Sequence, residues 1–283
     1  MTGVQTCALP IYALVDSIKA LPFLFLAYLL MEYAEHHSSE KMERTLQHMG
    51  KAGPLVGAGL GCIPQCGFSA SASNLFAAGL ISPGTLLAVF LSTSDEALPL
   101  LLGAGTAGRK MIFPLLAVKV VVGLAAGFLL DALVRRFAKP RELHDLCEHC
   151  GCKEEGGILK PALWHTGHIL LFIFLVNLVL GLSLHMLGAE RIGTLLLQGS
   201  ALQPFAAALL GLIPNCAASV MLTQLFLAQT LSFGSLVAGL CSNAGVGVAV
   251  LLRMNRNQKE NGVMIGALYL VAALVGLVLQ LVL

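Results

Sequence analysis

Charged residues are scarce in this sequence. Asp, Glu, Lys and Arg make up only 11% of the 283 residues, whereas hydrophobic residues make up 57%. So little charge cannot cover the surface of a water-soluble domain of this length, which excludes the soluble globular classes. The net charge of +2 gives no indication of a nucleic-acid partner, because membrane topology sets how the charges are distributed. We therefore expect an all-α integral membrane protein that has the lipid bilayer as a partner.

Two motifs that would supply energy or catalysis are also missing. The chain has no G-x-x-x-x-G-K-[ST] phosphate-binding loop, which excludes a Walker-type ATPase. It has no H-E-x-x-H pair either, and we predict that it is not an enzyme. This interpretation requires no cofactor, and any transport must be driven by an ion gradient or a partner.

Long apolar segments dominate what is present. Runs long enough to span a bilayer lie at 12–33, 83–102, 111–134, 163–187, 233–252 and 262–283. Two further apolar stretches, 52–82 and 202–232, are interrupted by Pro64 and Pro214. Residues 1–11, MTGVQTCALPI, resemble a translated sequencing adapter, and we exclude them from the fold as a non-native N-terminus. A short periplasmic arm is the alternative.

The chain contains an internal duplication. Each residue in 53–102 corresponds, without a gap, to the residue 150 positions later in 203–252. Proline, cysteine, serine and glycine match in register, which apolar bias alone does not produce. We predict membrane repeat 1 at 12–137, a cytoplasmic loop at 138–160 and membrane repeat 2 at 161–283. Each repeat should have five helices, about ten transmembrane segments in all, and the second repeat should be inverted, as is typical of transporters.

Lys and Arg residues indicate the orientation. They concentrate in 34–51, 135–160 and 253–260, whereas the opposite loops hold only Arg109, Lys110 and Arg191. Under the positive-inside rule, the three rich segments are cytoplasmic. We therefore predict a multi-pass protein of a bacterial-type cytoplasmic (inner) membrane, with both termini outside.

Both interrupted stretches carry the same kind of triplet. The triplets are Pro64-Gln65-Cys66 and Pro214-Asn215-Cys216. Proline breaks the helix, and irregular backbone survives at bilayer depth only where it is buried in protein or lines a cavity. We predict that the two Pro-broken half-helices meet near the midplane and that these six residues bind a substrate or ion. A pair of ordinary proline kinks with packing cysteines is the alternative.

A second polar interruption follows in each half. The residues concerned are Ser92, Thr93, Ser94, Asp95 and Glu96 in the first half and Ser242 and Asn243 in the second. We predict that the serines and Asn243 complete the coordination of a bound ion. The apolar character of the flanking residues places this interruption at membrane depth.

Asp95 is the leading candidate for a cation or proton ligand, followed by Glu96. An intramembrane carboxylate is costly unless it faces a cavity, a cation or a partner. Alternatively, Asp95 caps the next helical segment or pairs with Lys119. Because its counterpart is Gly245, the acid is present in one half only, which suits a single coupled charge movement.

The loop between the halves is rich in thiol and imidazole groups. They belong to His144, Cys147, His149, Cys150 and Cys152. Such ligands prefer soft or borderline ions such as Zn(II), Cu(I) or trivalent arsenic, and a reducing cytosol keeps the thiols free. We predict that this loop captures metal as a sensor, a delivery site or a lid. A charged flexible linker with incidental cysteines is the alternative.

Four segments are similar to sequences of one known family. They read LPFLFLAYLLMEYAEH, GxGxIPQCGFSASASNLFAAGLISPGTLLAVFLSTSDEALPLLL, CEHCGC and GLIPNCAASVMLTQLF. From residue 12 onward the chain resembles the ten-transmembrane heavy-metal exporters, whose members are described as arsenic efflux proteins or manganese transporters. The resemblance implies export of a heavy metal or metalloid.

The sequence therefore predicts a secondary transporter of a metal or metalloid. Its binding site would open alternately to the two sides of the membrane by movement about the two Pro-x-Cys breaks. Protons or another ion would be the coupling partner. Thiols favour arsenic, zinc or copper, whereas carboxylate, amide and hydroxyl oxygens favour manganese, so both substrate types stay open. The alternative is a transporter of an anion or small organic solute with packing-only cysteines. The oligomeric state is also open, and a homodimer is one of the options.

Overall fold

The computed structural model describes residues 52–62, 66–94, 97–137, 159–187 and 201–282, together with Ile18, Leu21, Pro22, Phe25, Leu26, Leu29, Leu196 and Ser200. These residues form helices and connecting turns, and no strand occurs among them. In chain order the helices are α1 (Ala52–Gly61), α2 (Cys66–Ala77), α3 (Pro83–Ser92), α4 (Ala97–Gly103), α5 (Gly105–Phe137), α6 (Leu159–Leu187), α7 (Gln203–Gly211), α8 (Cys216–Leu227), α9 (Phe233–Ser242), α10 (Gly247–Met254) and α11 (Gln258–Val282). The all-α prediction is confirmed for this part of the chain.

Four helical stretches are long and apolar enough to cross a membrane. They are Pro83–Gly103, Gly108–Val134, Phe233–Met254 and Gln258–Val282. These stretches agree with four of the apolar runs in the sequence. On α5 and α11, large apolar side chains such as Phe113, Val121, Val263 and Leu281 remain exposed. An apolar surface of this kind is suited to contact with lipid.

The short helices α3 and α9 form the centre of the described structure. All residues from Gly84 to Ser92 and from Gly234 to Ser242 are buried. Helix α3 packs on α5, helix α9 packs on α7 and α11, and α3 and α9 also contact each other. Helices that are apolar on all sides are suited to such a position, because protein surrounds them completely.

The helix boundaries repeat at the offset found in the sequence. Three pairs of helices, α2 with α8, α3 with α9 and α4 with α10, begin 150 residues apart. The turn after α2 and α8 repeats as well, because Gly79 has a φ of +80° and Gln229 a φ of +59°. The halves also exchange contacts, since α2 packs on α10 and α8 packs on α4. The sequence duplication is therefore a duplication of helices, and the inversion across the membrane stays a prediction.

Glycines let the helices of each half approach closely. A Cβ atom on Gly61 would lie 2.0 Å from the Ser92 hydroxyl oxygen, and one on Gly211 would lie 2.2 Å from the Ser242 hydroxyl oxygen. The two Gly/Ser pairs correspond to each other at the 150-residue offset of the repeat. Helix α1 therefore meets α3 as α7 meets α9, and close packing explains why these glycines match between the halves.

We expect Gly211→Ala to lower the thermal stability of the purified protein in detergent, because its Cβ would lie 2.1 Å from the Gly239 carbonyl oxygen. Overpacking of this kind costs about 1–3 kcal/mol. Gly266→Ala in α11 is the matched control, since its Cβ would meet no atom within 4 Å and alanine favours the helix. An unchanged Tm for Gly211→Ala would contradict the close approach of α7 to α9.

Candidate functional site

Lys119 joins the ends of the two central helices. It lies on α5, and its side chain is fully buried. Its ammonium group donates to the carbonyl oxygen of Thr93, the residue at which α3 ends, and to that of Leu240 in α9 at 2.6 Å. The last carbonyls of a helix lack helical partners and carry partial negative charge, so a cation is stabilised there. One helix from each half of the chain therefore ends at the same buried charge.

The predicted serine ligands beside this charge form hydrogen bonds with the backbone. Ser92 donates to the carbonyl oxygen of Ala88 at 2.7 Å, and Ser242 donates across to that of Ala208 in α7 at 2.7 Å. Ser94 is buried and donates to the carbonyl oxygen of Ser92 at 3.2 Å. All three side chains lie at the ends of α3 and α9, and coordination of an ion by their hydroxyl oxygens stays a prediction.

Asn243 follows the last residue of α9 and is 2% exposed. Its Oδ1 accepts from the N–H of Gly245 at 2.8 Å, whereas its Nδ2 is buried and has no hydrogen-bond partner among the described residues. Gly245 has a φ of +53°, which glycine adopts without steric cost. A buried donor without a partner is costly. A hydrogen-bond acceptor bound next to the Nδ2 of Asn243 would remove this cost.

The second Pro-x-Cys break is described in full. Pro214 lies in a bend between α7 and α8. Asn215 is the N-cap of α8, and its Oδ1 accepts from the N–H of Ala217 at 2.7 Å. Cys216 begins α8 and is buried. Pro214 thus separates two half-helices instead of bending a single one, and Asn215 stabilises the N-terminus of the second half-helix.

Less of the first break is described. Cys66 begins α2, as Cys216 begins α8. The predicted site residues Pro64, Gln65, Asp95, Glu96, His144, Cys147, His149, Cys150 and Cys152 lie outside the described residues. Their roles stay predictions. Within the described ranges, no group of three or more His, Cys, Asp or Glu residues could hold a metal ion.

Two thiols outside the predicted set lie at the ends of helices that reach this region. They are Cys62, at the end of α1, and Cys241, which is fully buried in α9. Cys62 donates to the Ala58 carbonyl oxygen at 3.4 Å, as a packing residue would. Reasoning from the repeat passes over Cys62, because its counterpart is Leu212.

Asp131 is a buried acid that the sequence reasoning missed. Its carboxylate accepts from the Ser82 hydroxyl at 2.7 Å and from the N–H of Gly84 at 2.8 Å, at the N-terminus of α3. In the second half, the Gln280 side chain accepts from the Ser232 hydroxyl at 3.1 Å. Negative charge stabilises a helix N-terminus, so Asp131 has a structural role. In the sequence, the start of α3 is indicated by Ser82, a serine N-cap, and by the proline that follows it at Pro83.

The chain matches the model of a family described as "Putative, 10TM heavy-metal exporter" over residues 8–188 and 171–282. It belongs to that family. The resemblance found in the sequence is confirmed, and the protein is a multi-pass membrane protein of a transporter family. A transporter family also supports a non-enzymatic role. No curated protein and no solved structure matches the chain.

Two substitutions at Asn215 test its structural role as the N-cap of α8. Asn215→Ala should destabilise the protein by about 1 kcal/mol, because the Ala217 N–H loses its acceptor at the start of α8. Asn215→Ser should retain most of the stability, since serine is an equally good N-cap. Thermal unfolding in detergent measures both variants, and equal Tm values for the alanine variant and the wild type would contradict the cap.

Proposed function

We propose that this family member is a secondary transporter that exports a heavy metal or metalloid, of arsenic or manganese type, across the cytoplasmic membrane by alternating access. The observation that carries the proposal is the meeting of α3 and α9 at Lys119. Each half contributes one interrupted helix to the same buried place, which is how transporters built from repeats form their binding sites. The inverted arrangement of the two halves is part of this proposal.

The substrate would bind between the Pro-x-Cys breaks and the polar interruptions. In each half, the helix that leads into the Pro-x-Cys break ends against the helix that leads into the polar interruption, as the Gly61–Ser92 and Gly211–Ser242 approaches indicate. This approach of the helix ends supports a site to which both kinds of interruption would contribute in each half. Cys66 and Cys216, which begin α2 and α8, would supply thiolates to a soft ion.

Asp95 is the coupling carboxylate in this proposal. It follows Thr93 by two residues, and the Thr93 carbonyl oxygen accepts from the Lys119 ammonium. A buried ammonium repels a cationic substrate unless a carboxylate compensates its charge. Asp95 would compensate Lys119 when the site is empty and would bind the metal ion or a proton during transport. Glu96 would be the second acid available for this exchange.

The buried lysine also favours a second candidate function, the transport of an anion or small organic solute. Lys119 brings a positive charge, and Asn243 brings a buried N–H donor without a partner in the described ranges. The N-terminus of α8, which begins at Cys216, would add a positive helix end. In this function the cysteines only pack.

Metal tolerance and metal accumulation test the proposal directly. Cells that lack their own exporters would carry either an empty vector or the wild-type gene and would be exposed in turn to arsenite, manganese, zinc and copper. We expect the wild-type gene to lower the intracellular content of at least one of these, measured by mass spectrometry. The export of metals and metalloids would be refuted if none of the four contents changed.

Replacing the two matched thiols distinguishes the two candidate functions. The double variant Cys66→Ser, Cys216→Ser should reduce the apparent affinity for a soft metal by at least about 10–100-fold. Mutating a residue that only hydrogen-bonds to a metal ligand already has an effect of this size. Cys62→Ser is the matched control, because Cys62 has no cysteine counterpart and its thiol bonds to the backbone. Wild-type transport by the double variant, at equal protein levels, would favour the anion or solute transporter.

Asp95→Asn tests the coupling carboxylate, since it removes the charge and preserves the size of the side chain. We expect export to fall to the level of the empty vector while the protein is still inserted, because the compensation of Lys119 and the exchangeable ligand are both lost. Glu260→Gln makes the same carboxylate-to-amide change in the first turn of α11, outside both interruptions in the sequence, and should export at the wild-type rate. Export by Asp95→Asn at the wild-type rate would assign coupling to another group.

A further inference from the structure

Lys119 occupies a position that transporters commonly give to a free cation. Its ammonium contacts two carbonyl oxygens, those of Thr93 and Leu240, which belong to the ends of two different half-helices. In transporters built from repeats, unwound carbonyls and half-helix C-termini coordinate sodium ions or protons, because these ends carry partial negative charge. Here the positive charge belongs to a side chain that is anchored in α5.

We propose that the ends of α3 and α9 form a carbonyl-lined binding site for a monovalent, ammonium-type cation, and that the Lys119 ammonium is its resident cation. The complete burial of the side chain supports this assignment. A buried ammonium loses its hydration, and carbonyl or carboxylate oxygens must replace the lost water. The carbonyls of Thr93 and Leu240 provide two such oxygens from opposite halves of the chain.

The second half of the duplication has no lysine at the position that corresponds to Lys119. Gly127 on α5 packs against α3, and Gly276 on α11 packs against α9 in the same manner, which matches the two helices with a shift of 149 residues. The same shift pairs Lys119 with Leu268, and both side chains are fully buried. An aliphatic residue therefore occupies the matching position in the second half, and the lysine is present at this position in the first half only. One lysine suffices, because it reaches both helix ends at once.

A tethered cation makes the junction of α3 and α9 independent of free alkali ions. The two ends can separate only when the ammonium leaves at least one of the two carbonyls. Lys119 therefore links the relative position of the two helix ends to the charge between them. This inference goes beyond the proposed function, because it concerns a cation that the protein itself supplies and holds for any transported substrate.

Chemical rescue of a truncated lysine tests the site. Lys119→Ala removes the alkyl chain and the ammonium, so the Thr93 and Leu240 carbonyls lose this donor. We expect a lower Tm than that of the wild type in detergent. Propylammonium chloride replaces the missing group as a free ion, and it should raise the Tm of Lys119→Ala saturably by roughly 3–5 °C at a concentration about tenfold above its Kd. N-methylglucamine chloride at equal ionic strength, whose cation is much bulkier than the alkyl and ammonium groups that the variant lacks, should have no such effect.

Two matched variants make the test specific. Lys119→Met fills the space with an uncharged chain, so we expect a lowered Tm that propylammonium does not restore. Lys110→Ala removes an exposed lysine from the same helix and should retain the wild-type Tm in both salts. A saturable rise confined to Lys119→Ala supports the site. The absence of a rise, or equal rises in Lys119→Ala, Lys119→Met and the wild type, overturns the proposal.

The yield of folded protein gives a second measurement if Lys119→Ala proves too unstable to purify in ordinary buffer. Membranes would be solubilised in propylammonium or in N-methylglucamine chloride, and the monodisperse fraction would be compared. A higher yield in propylammonium supports the site, and equal yields overturn it. Because neither measurement uses a transported substrate, this proposal and the export of metals fail or succeed separately.

Discussion

A buried ammonium group between two helix ends is the interaction on which the described core depends. Helix α3 is held by α5 at both of its ends, by Lys119 at the C-terminal end and by Asp131 at the N-terminal end. The two residues are twelve positions apart on α5, or about 18 Å along a helix, which matches a ten-residue helix of about 15 Å with its caps. Each charge has the sign that the helix dipole of α3 prefers. The partial charges at the two ends of α3 are opposite in sign to these side chains, and they offset part of the free-energy cost of burying them.

The second half reproduces this geometry without the charges. Helix α9 is held at its N-terminus by Gln280, an uncharged side chain, and Leu268 stands where the first half has Lys119. Asp95 likewise has Gly245 as its counterpart. The helix boundaries and the glycine contacts are thus common to both halves, whereas Lys119 and Asp131, the buried Lys and Asp side chains among the described residues, belong to the first. Such asymmetry gives the two halves unequal electrostatic roles at one shared junction.

Much of the fold could be predicted from the sequence because the informative residues match in register. The pairs Pro64/Pro214 and Gly61/Gly211 indicate, by their spacing alone, where the helices of both halves break and where they pack closely. The site was harder to predict. The interior position of Ser92 predicts a ligand, and this role stays a prediction. The hydrogen bond of its hydroxyl to the Ala88 carbonyl and its close approach to Gly61 depend on how the helices pack, which the sequence does not state.

Lys119 shows where sequence reasoning stops. A lysine within an apolar run indicates a buried partner, but the periodicity of the run does not identify which one. The Leu240 carbonyl lies 121 positions further along the chain, and its approach to Lys119 follows from the packing of α9 against α3 and α5. Contacts of this kind depend on the tertiary arrangement, so the repeat could suggest a meeting of the halves but could not name the group that joins them.

The contacts between the halves also limit how the core can move. Helix α2 packs on α10, where the Ser73 hydroxyl donates to the Gly247 carbonyl oxygen at 2.8 Å, and α8 packs on α4. Because each half contributes one helix to each of these pairs, a simple separation of the halves would break both. A movement that exposes the junction at Lys119 is less costly when it keeps each exchanged pair together and shifts the pairs against α3 and α9. In the alternating access proposed above, the pairs α2 with α10 and α8 with α4 would therefore each move as one body.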